Sequence, residues 1–342
     1  MSVAKISLQA LKDARQHQDA LTKPQGALGR LEDIACWFAA RQGKAIPDTI
    51  VPHICVFAAD HGVVAEGVSA FPSVVTGEMV KNFVAGGAAI NVLAAQCGAS
   101  LSIVDVGVAT DLSHMEGIIH ANVRHGSRNI VHEAAMTDEE YRQAIRVGEQ
   151  QAEDAMANGA NLFIAGDMGI GNTTASAALI CELALLPPEL VVGRGTGIDD
   201  AAYALKLAAV RKALARAKNT SFSDVLQELG GLEIAAMAGY YAAAARLGVP
   251  VLLDGFISTA AALAAVAWDA RIAGWMLASH VSEEQGHQKA LEALGLGAYL
   301  HFHLRLGEGS GAALLVPLLQ SAVALHRNMA TFASAGVSDK DA

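Results

Sequence analysis

The sequence predicts an α/β fold: a Rossmann-like parallel sheet with flanking helices, plus a small helical domain from the N- and C-terminal segments. Three observations predict it. Short apolar, β-rich runs alternate with longer Ala-rich stretches of helical pattern, as strands joined by crossover helices do. The runs are continuously apolar, as expected of strands covered on both faces. Acidic or glycine-rich turns follow the runs, and in an open parallel sheet such turns converge on one crevice beyond the strands' carboxyl ends.

Taken in order, the opening MSVAKISLQALKDARQHQDAL mixes charges into an apolar period of three to four, which predicts an amphipathic helix. It has no uninterrupted apolar core and no small-residue cleavage site of a signal peptide. Strands are expected at Ile54–Ala59, Leu101–Val106, Leu162–Ala165, Val249–Leu253 and Trp275–Ser279. Asp60-His61-Gly62 follows the first and Asp105-Val-Gly107 closes the second. Gly166-Asp167-Met-Gly169-Ile-Gly171-Asn172-Thr-Thr follows the third, and Asp254-Gly255 the fourth. The final apolar run, Ala312 to Leu325, is interrupted by Pro317 and Gln320 and is too short to span a bilayer. These signals divide the chain into a large α/β domain, 45–311, and a small helical domain from 1–44 and 312–342, ending in a loose tail from Ala335. No low-complexity linker or further repeat is apparent.

Composition narrows the partners. With 342 residues, 53% hydrophobic and 17% charged, the chain can bury a large core. A formal net charge of -10 argues against nucleic acid, whose binders need a basic face. A small-molecule partner fits better, and no membrane association is expected. Cys36, Cys55, Cys97 and Cys181 form no C-x-x-C pair, which suits buried thiols in a reducing cytoplasm.

Four segments could carry chemistry. Arg305-Leu-Gly-Glu308-Gly-Ser310-Gly311 sets one carboxylate among glycines before the apolar run, either as a loop built to present Glu308 or as an ordinary helix start. Gly166 to Thr174 could bind phosphate at a helix N-terminus, although it lacks the lysine of a Walker loop and the dinucleotide spacing. Gly193-Arg194-Gly195-Thr196-Gly197-Ile-Asp199-Asp200 opens a helix carrying Lys206, so Arg194 and Lys206 are candidate phosphate partners. Tight chain geometry alone is the alternative explanation of each glycine turn, and the weaker one. His301-Phe-His303 lies near Glu308, but no second ligand pair has convincing spacing, so no metal site is expected. No G-x-S-x-G elbow is present.

Together, Lys23-Pro-Gln-Gly26-Ala-Leu-Gly29-Arg30-Leu-Glu32, Ala59-Asp-His-Gly62, Gly86-Gly-Ala-Ala-Ile-Asn91, the Gly166–Thr174 loop, Pro250-Val-Leu-Leu-Asp254-Gly, Ser279-His-Val-Ser282 and the Arg305–Ala312 loop resemble the nicotinate-nucleotide–dimethylbenzimidazole phosphoribosyltransferase family, in order and nearly end to end. The resemblance implies transfer of phosphoribose from nicotinate mononucleotide to 5,6-dimethylbenzimidazole in cobalamin assembly, without a cofactor and by a homodimer. It implies that Glu308 is the base. Lys206, Ser282 and Gly169 match phosphate-holding positions. Asp167 stands where the family is expected to have glutamate, and its side chain, one methylene shorter, implies a contact with ribose or base that is shifted or bridged by water. Phe71, Met79 and Leu306 are expected to line the acceptor pocket. Two other classes remain open on the residues alone: a nucleotide-binding regulator and a sugar-phosphate hydrolase.

Overall fold

In β1 (Pro52–Ala59) every residue is buried, and alternate side chains serve two separate cores. Cys55, Phe57 and Ala59 belong to one hydrophobic cluster, while Ile54, Val56 and Ala58 belong to the other. A strand with period-two side chains and no polar face needs helices on both sides of its sheet. The computed structural model has that architecture, and it describes residues 2–195 and 197–338. Thr196 of the second glycine turn and residues 339–342 of the expected tail lie outside the described residues.

The other strands are β2 (Ser100–Gly107), β3 (Ile119–His120), β4 (Leu162–Met168), β5 (Val251–Leu253) and β6 (Met276–Ala278). All pair in parallel in the order β3-β2-β1-β4-β5-β6, with Ile54 of β1 opposite Leu101 on one side and Ile164 on the other. The five expected strands are present with shifted ends. β5 starts after Pro250, which has no N–H to give a ladder. Trp275 closes a 3-10 turn instead of opening β6. The two-residue β3 is too short to leave a periodic signal.

One face of the sheet carries α2 (Arg30–Gln42), α3 (Val74–Val84), α4 (Ala89–Cys97) and α12 (Ser310–Asn328), through Phe38, Val80, Ile90 and Leu315. The opposite face carries α5 (Asp138–Ala157), α6 (Asn172–Leu183), α7 (Asp200–Arg216), α8 (Val225–Leu229), α9 (Leu232–Leu247) and α10 (Phe256–Trp268). Helix α9 is buried almost throughout. Its Tyr240 stacks on Phe163 of β4 with centroids 5.2 Å apart, and Gly239, with Gly148 of α5, lets the two helices approach closely. After α11 (His287–Ala293), α12 (Ser310–Asn328) continues through Pro317 and is followed by α13 (Phe332–Ala335).

The chain ends meet. Helix α1 (Leu8–Ala20) packs on α2, and Gln18 Nε2 lies 2.7 Å from His326 Nδ1 of α12. Leu21 and Thr331 form an antiparallel bridge. The four cysteines are buried and free. Among the described residues no helix is long and apolar enough to cross a membrane.

Candidate active site

The strand order reverses at β1 and β4, and their carboxyl ends open the crevice. The glycine loop after β4 lies directly on β1: a Cβ on Gly169 would come within 2.3 Å of the Ala59 carbonyl oxygen. Polar side chains fix it from below. Thr76 Oγ1 accepts the Ile170 N–H at 3.1 Å and donates to Asp60 Oδ1 at 2.7 Å, while Asp60 Oδ2 accepts the Ala109 N–H. His61 Nε2 and Glu233 Oε1 pair at 2.5 Å, both buried. The Asp60-His61 turn therefore supports the loop from beneath.

The Glu308 loop crosses over β4. Gly307, Glu308 and Gly309 have φ of 85°, 64° and 87°, and of these only Glu308 bears a side chain that disfavours the left-handed region. A Cβ on Gly166 would lie 2.2 Å from the Glu308 carbonyl oxygen, so the crossing requires glycine there. The Glu308 N–H donates to the Asp167 carbonyl at 3.3 Å. Asp254, at the end of β5, secures the turn: Oδ2 accepts the Gly309 N–H at 3.2 Å and Oδ1 the Ala312 N–H at 2.9 Å. No side chain on the preceding turn caps α12, so Asp254 satisfies its first free amides from across the sheet.

The Glu308 carboxylate is buried and accepts the Ile90 N–H of α4 at 3.4 Å. Burial raises its pKa, that hydrogen bond opposes the rise, and the nearby Asp254 charge adds to it. Asp167 is pushed well above the ordinary carboxylate range by burial, then by the charges of Asp254 and Glu233; its Oδ2 accepts from Asn172 Nδ2 at 2.9 Å. Asp254 is raised by burial, with His280 opposing. Carboxylates this close and this dry disfavour one another's ionisation.

A cleft of about 650 Å³ opens beside them, lined by Asp167, Gly169, Thr173, Ser282, Glu284 and Leu306 among others. A smaller cleft of about 330 Å³ shares Gly169, Asn172 and Thr173 and is lined also by Arg194 and Lys206. Lys206 is 1% exposed, and its Nζ donates to Thr173 Oγ1 at 2.9 Å. Burial lowers its pKa to about 8, with Glu284 opposing. Glu284 is itself raised by burial, and its Oε2 has no hydrogen-bond partner. Arg194 is turned to its own segment, donating to the Ile198 carbonyl at 3.0 Å and pairing with Asp200 at 2.5 Å. The arrangement offers a buried cation for an anionic group and a high-pKa carboxylate for a proton.

Asp167, Gly169, Ser282 and Leu306 share the larger cleft, and Lys206, Arg194 and Gly169 the smaller. Phe71 and Met79 line neither: Phe71 is 45% exposed, and Met79 is half-buried against the core beneath α3. Glu308 lines neither of these two clefts; it directly follows Leu306 and Gly307, which line the larger one. Sequence reasoning passed over Thr173, His280, Glu284 and Arg305 as lining residues. Each lies inside or beside a quoted motif, so the signal was their position at a strand end, not their residue type.

A family model described as phosphoribosyltransferase matches residues 3–337. A protein of Chromobacterium violaceum named nicotinate-nucleotide–dimethylbenzimidazole phosphoribosyltransferase is 59% identical, over 98% of this chain and 98% of its own. One of the same name from Pseudomonas aeruginosa is 49% identical, over 98% of this chain and 96% of its own. The crystal structure of the enzyme of that name from Thermus thermophilus superposes with a TM-score of 0.93 at 45% identity, covering 98% of this chain and 100% of that one.

Proposed function

The chain belongs to the nicotinate-nucleotide–dimethylbenzimidazole phosphoribosyltransferase family, and from that premise we propose how its residues carry the reaction. It is a phosphoribosyltransferase of cobalamin biosynthesis. Phosphoribose passes from nicotinate mononucleotide to 5,6-dimethylbenzimidazole, giving α-ribazole 5′-phosphate and nicotinate. The observation that carries this reading is that the buried Glu308, its pKa raised by burial, sits in the loop whose Leu306 and Gly307 line the larger cleft, while the buried Lys206 lines the smaller cleft that shares Gly169, Asn172 and Thr173 with it.

Nicotinate is bonded to ribose as a pyridinium, and when that bond breaks its electron pair returns to the ring nitrogen, which leaves neutral and needs no protonation. One benzimidazole nitrogen attacks ribose C1′ from the opposite face, the C1′–N bond to nicotinate breaks, and configuration inverts from β to α. The other benzimidazole nitrogen becomes acidic as its ring takes positive charge, and the Glu308 carboxylate takes that proton. Desolvation strengthens Glu308 as a base. Lys206 supplies charge to the 5′-phosphate, with the Ser282 hydroxyl and Gly169 amide as orienting donors and Arg194 at its edge. Asp167 contacts ribose or base, directly or through water. Leu306 covers the acceptor ring.

Incubation with nicotinate mononucleotide and dimethylbenzimidazole tests the reading: nicotinate and α-ribazole 5′-phosphate should appear together. Binding without turnover would indicate a regulator, and nicotinate release without acceptor a hydrolase. The same reading places the enzyme in the cytoplasm as a homodimer. It divides the chain into 45–311 and a helical unit of 1–44 with 312–342; α1 and α12 packing on α2 supports the grouping, while α2 and α12 also share the core of one sheet face with α3 and α4.

A further inference from the structure

His301 and His303 form an isolated pair in the sequence, but the fold brings Glu283 to them from another segment. His303 Nδ1 lies 2.6 Å and His301 Nε2 4.0 Å from the same oxygen, Glu283 Oε1, and the two imidazole centroids are 4.8 Å apart. Among the described residues, these three side chains are the group of His, Cys, Asp and Glu whose ligand atoms all lie within 4.8 Å of one another. We propose that Glu283, His301 and His303 bind a divalent transition-metal ion of the zinc type, at a site separate from the crevice.

The backbone beneath the cluster is fixed. Tyr299 and Leu300 N–H groups donate to the Ser279 carbonyl, Val281 N–H to Leu300, and Glu283 N–H to Leu304 at 2.9 Å, so the ligand-bearing segments are already joined. His303 holds φ of 53°, a conformation that a side chain other than glycine adopts at some cost and that occurs where surroundings impose it. A tetrahedral zinc ion with bonds near 2.0–2.1 Å needs ligand atoms about 3.3 Å apart. The observed separations bracket that value, and the exposed side chains can adjust by rotation. Two imidazoles and one carboxylate suit Zn²⁺, and Cu²⁺ or Ni²⁺ by the same donor chemistry, whereas Mg²⁺ and Ca²⁺ require oxygen ligands. Three protein ligands leave a fourth position for water.

The location gives the site a consequence. Glu283 stands between Ser282 and Glu284 on the cleft wall, and His303 precedes the Arg305–Gly307 rim. An ion would fasten the wall to the rim. This inference rests on the cluster alone, and its test does not depend on the proposed transfer reaction.

The full-length protein, with any affinity tag removed and metal stripped by chelator, would be titrated with Zn²⁺ against a chromogenic chelator. Wild type should bind one ion per chain, and His301→Ala, His303→Ala and Glu283→Gln should each weaken binding at least about ten-fold, the scale that losing a metal-supporting group costs. Zn²⁺ should raise Tm in wild type and not in the variants, while excess Mg²⁺ should not compete. Matching Tm among the metal-free proteins would show that the variants fold. Equal affinity in all four proteins, or no binding by wild type at micromolar Zn²⁺, would overturn the proposal.

Discussion

The two sides of the crevice are built differently. The Lys206 side is dry and crosslinked: Lys206, Glu284, Asp167 and Ser282 are all buried, and Thr173 already occupies the ammonium. The side expected to hold the aromatic acceptor is open, with Leu306 57% and Phe71 45% exposed. The Glu308 carboxylate is held by the Ile90 N–H and its loop by Asp254 through the Gly309 N–H, not by either wall. Charge must be placed before the substrate arrives, because a buried cation cannot be improvised, whereas an apolar wall can close on its ligand. Substitutions on the phosphate side and in the Glu308 loop should therefore cost more than those on the open wall.

The largest effect should be at Glu308. Glu308→Ala should lower turnover by about 10²–10⁴-fold, the usual contribution of proton transfer, with nicotinate mononucleotide affinity nearly unchanged. Because burial raises the Glu308 pKa, the carboxylate form is lost as pH falls through a value above that of an ordinary glutamate. The acid limb of kcat/KM should accordingly lie at higher pH than an exposed carboxylate would give. Near-normal kcat in the alanine variant would remove Glu308 from the chemistry.

Next comes Lys206. Loss of its charge-assisted contact in Lys206→Ala should cost about 1.5–3 kcal/mol of nicotinate mononucleotide binding and leave benzimidazole binding almost intact. The sign with pH is set by its depressed pKa of about 8: the free enzyme holds the proton below that value and loses it above. Phosphate prefers the charged lysine. Nucleotide affinity should therefore fall as pH rises past about 8, with proton uptake on binding, measurable by calorimetry in buffers of different ionisation enthalpy. A flat pH profile would shift the phosphate to Arg194 or to backbone amides alone.

A smaller effect should follow from Asp254→Asn. One amide oxygen can replace only one of the two acceptors serving Gly309 and Ala312, and the new NH₂ faces a donor. Leaving a buried donor unmatched costs about 1–3 kcal/mol of stability. If Asp254 acts by holding the loop, Tm and kcat should fall together, and kcat should fall more than KM rises. A lower Tm with unchanged kcat would mean that Glu308 finds its position without this anchor.

How much could be read beforehand differs along the same divide. Strands such as Ile54–Ala59 announce themselves because both faces are apolar, and the turns after them mark the crevice. The phosphate side was legible through the glycine-rich turn that opens the helix carrying Lys206 and through the family resemblance, whereas residue type alone does not set Lys206 apart from Arg211 and Lys212, which the same helix exposes. Glu284 and Thr173 were not legible, since an exposed and a buried glutamate or threonine are written alike and only the fold makes them dry. The Glu308 loop shows its glycines but not its anchor: Asp254 is far away in sequence, and only the sheet brings it to α12. Phe71 and Met79 were assigned from apolar character in the right segment, which does not separate a cleft wall from a core or a surface.

Asp167 tests the border between the two sides. It does not cap α6, whose N-terminus has Gly171 at the cap; its carboxylate bonds Asn172 instead. Asp167→Glu should be tolerated and should tighten nucleotide binding if it replaces a bridging water. Asp167→Ala should lower kcat/KM and orphan Asn172 Nδ2. An alanine variant that is destabilised yet fully active would confine Asp167 to structure.

The smallest effect should be at Phe71. As an exposed side chain with no place in either cleft, Phe71→Ala should change stability by no more than about 0.5 kcal/mol. If the acceptor wall is open as it stands, KM for dimethylbenzimidazole should change little, and less than in Leu306→Ala, since Leu306 already lines the cleft. The opposite result would be more informative. A KM raised about ten-fold or more by Phe71→Ala, with kcat and Tm unchanged, would mean that the Ser69–Ser73 segment folds onto the aromatic ring during binding. The difference between a built and an unbuilt wall would then be one of timing: the charged side is assembled by folding, and the apolar side by the substrate it covers.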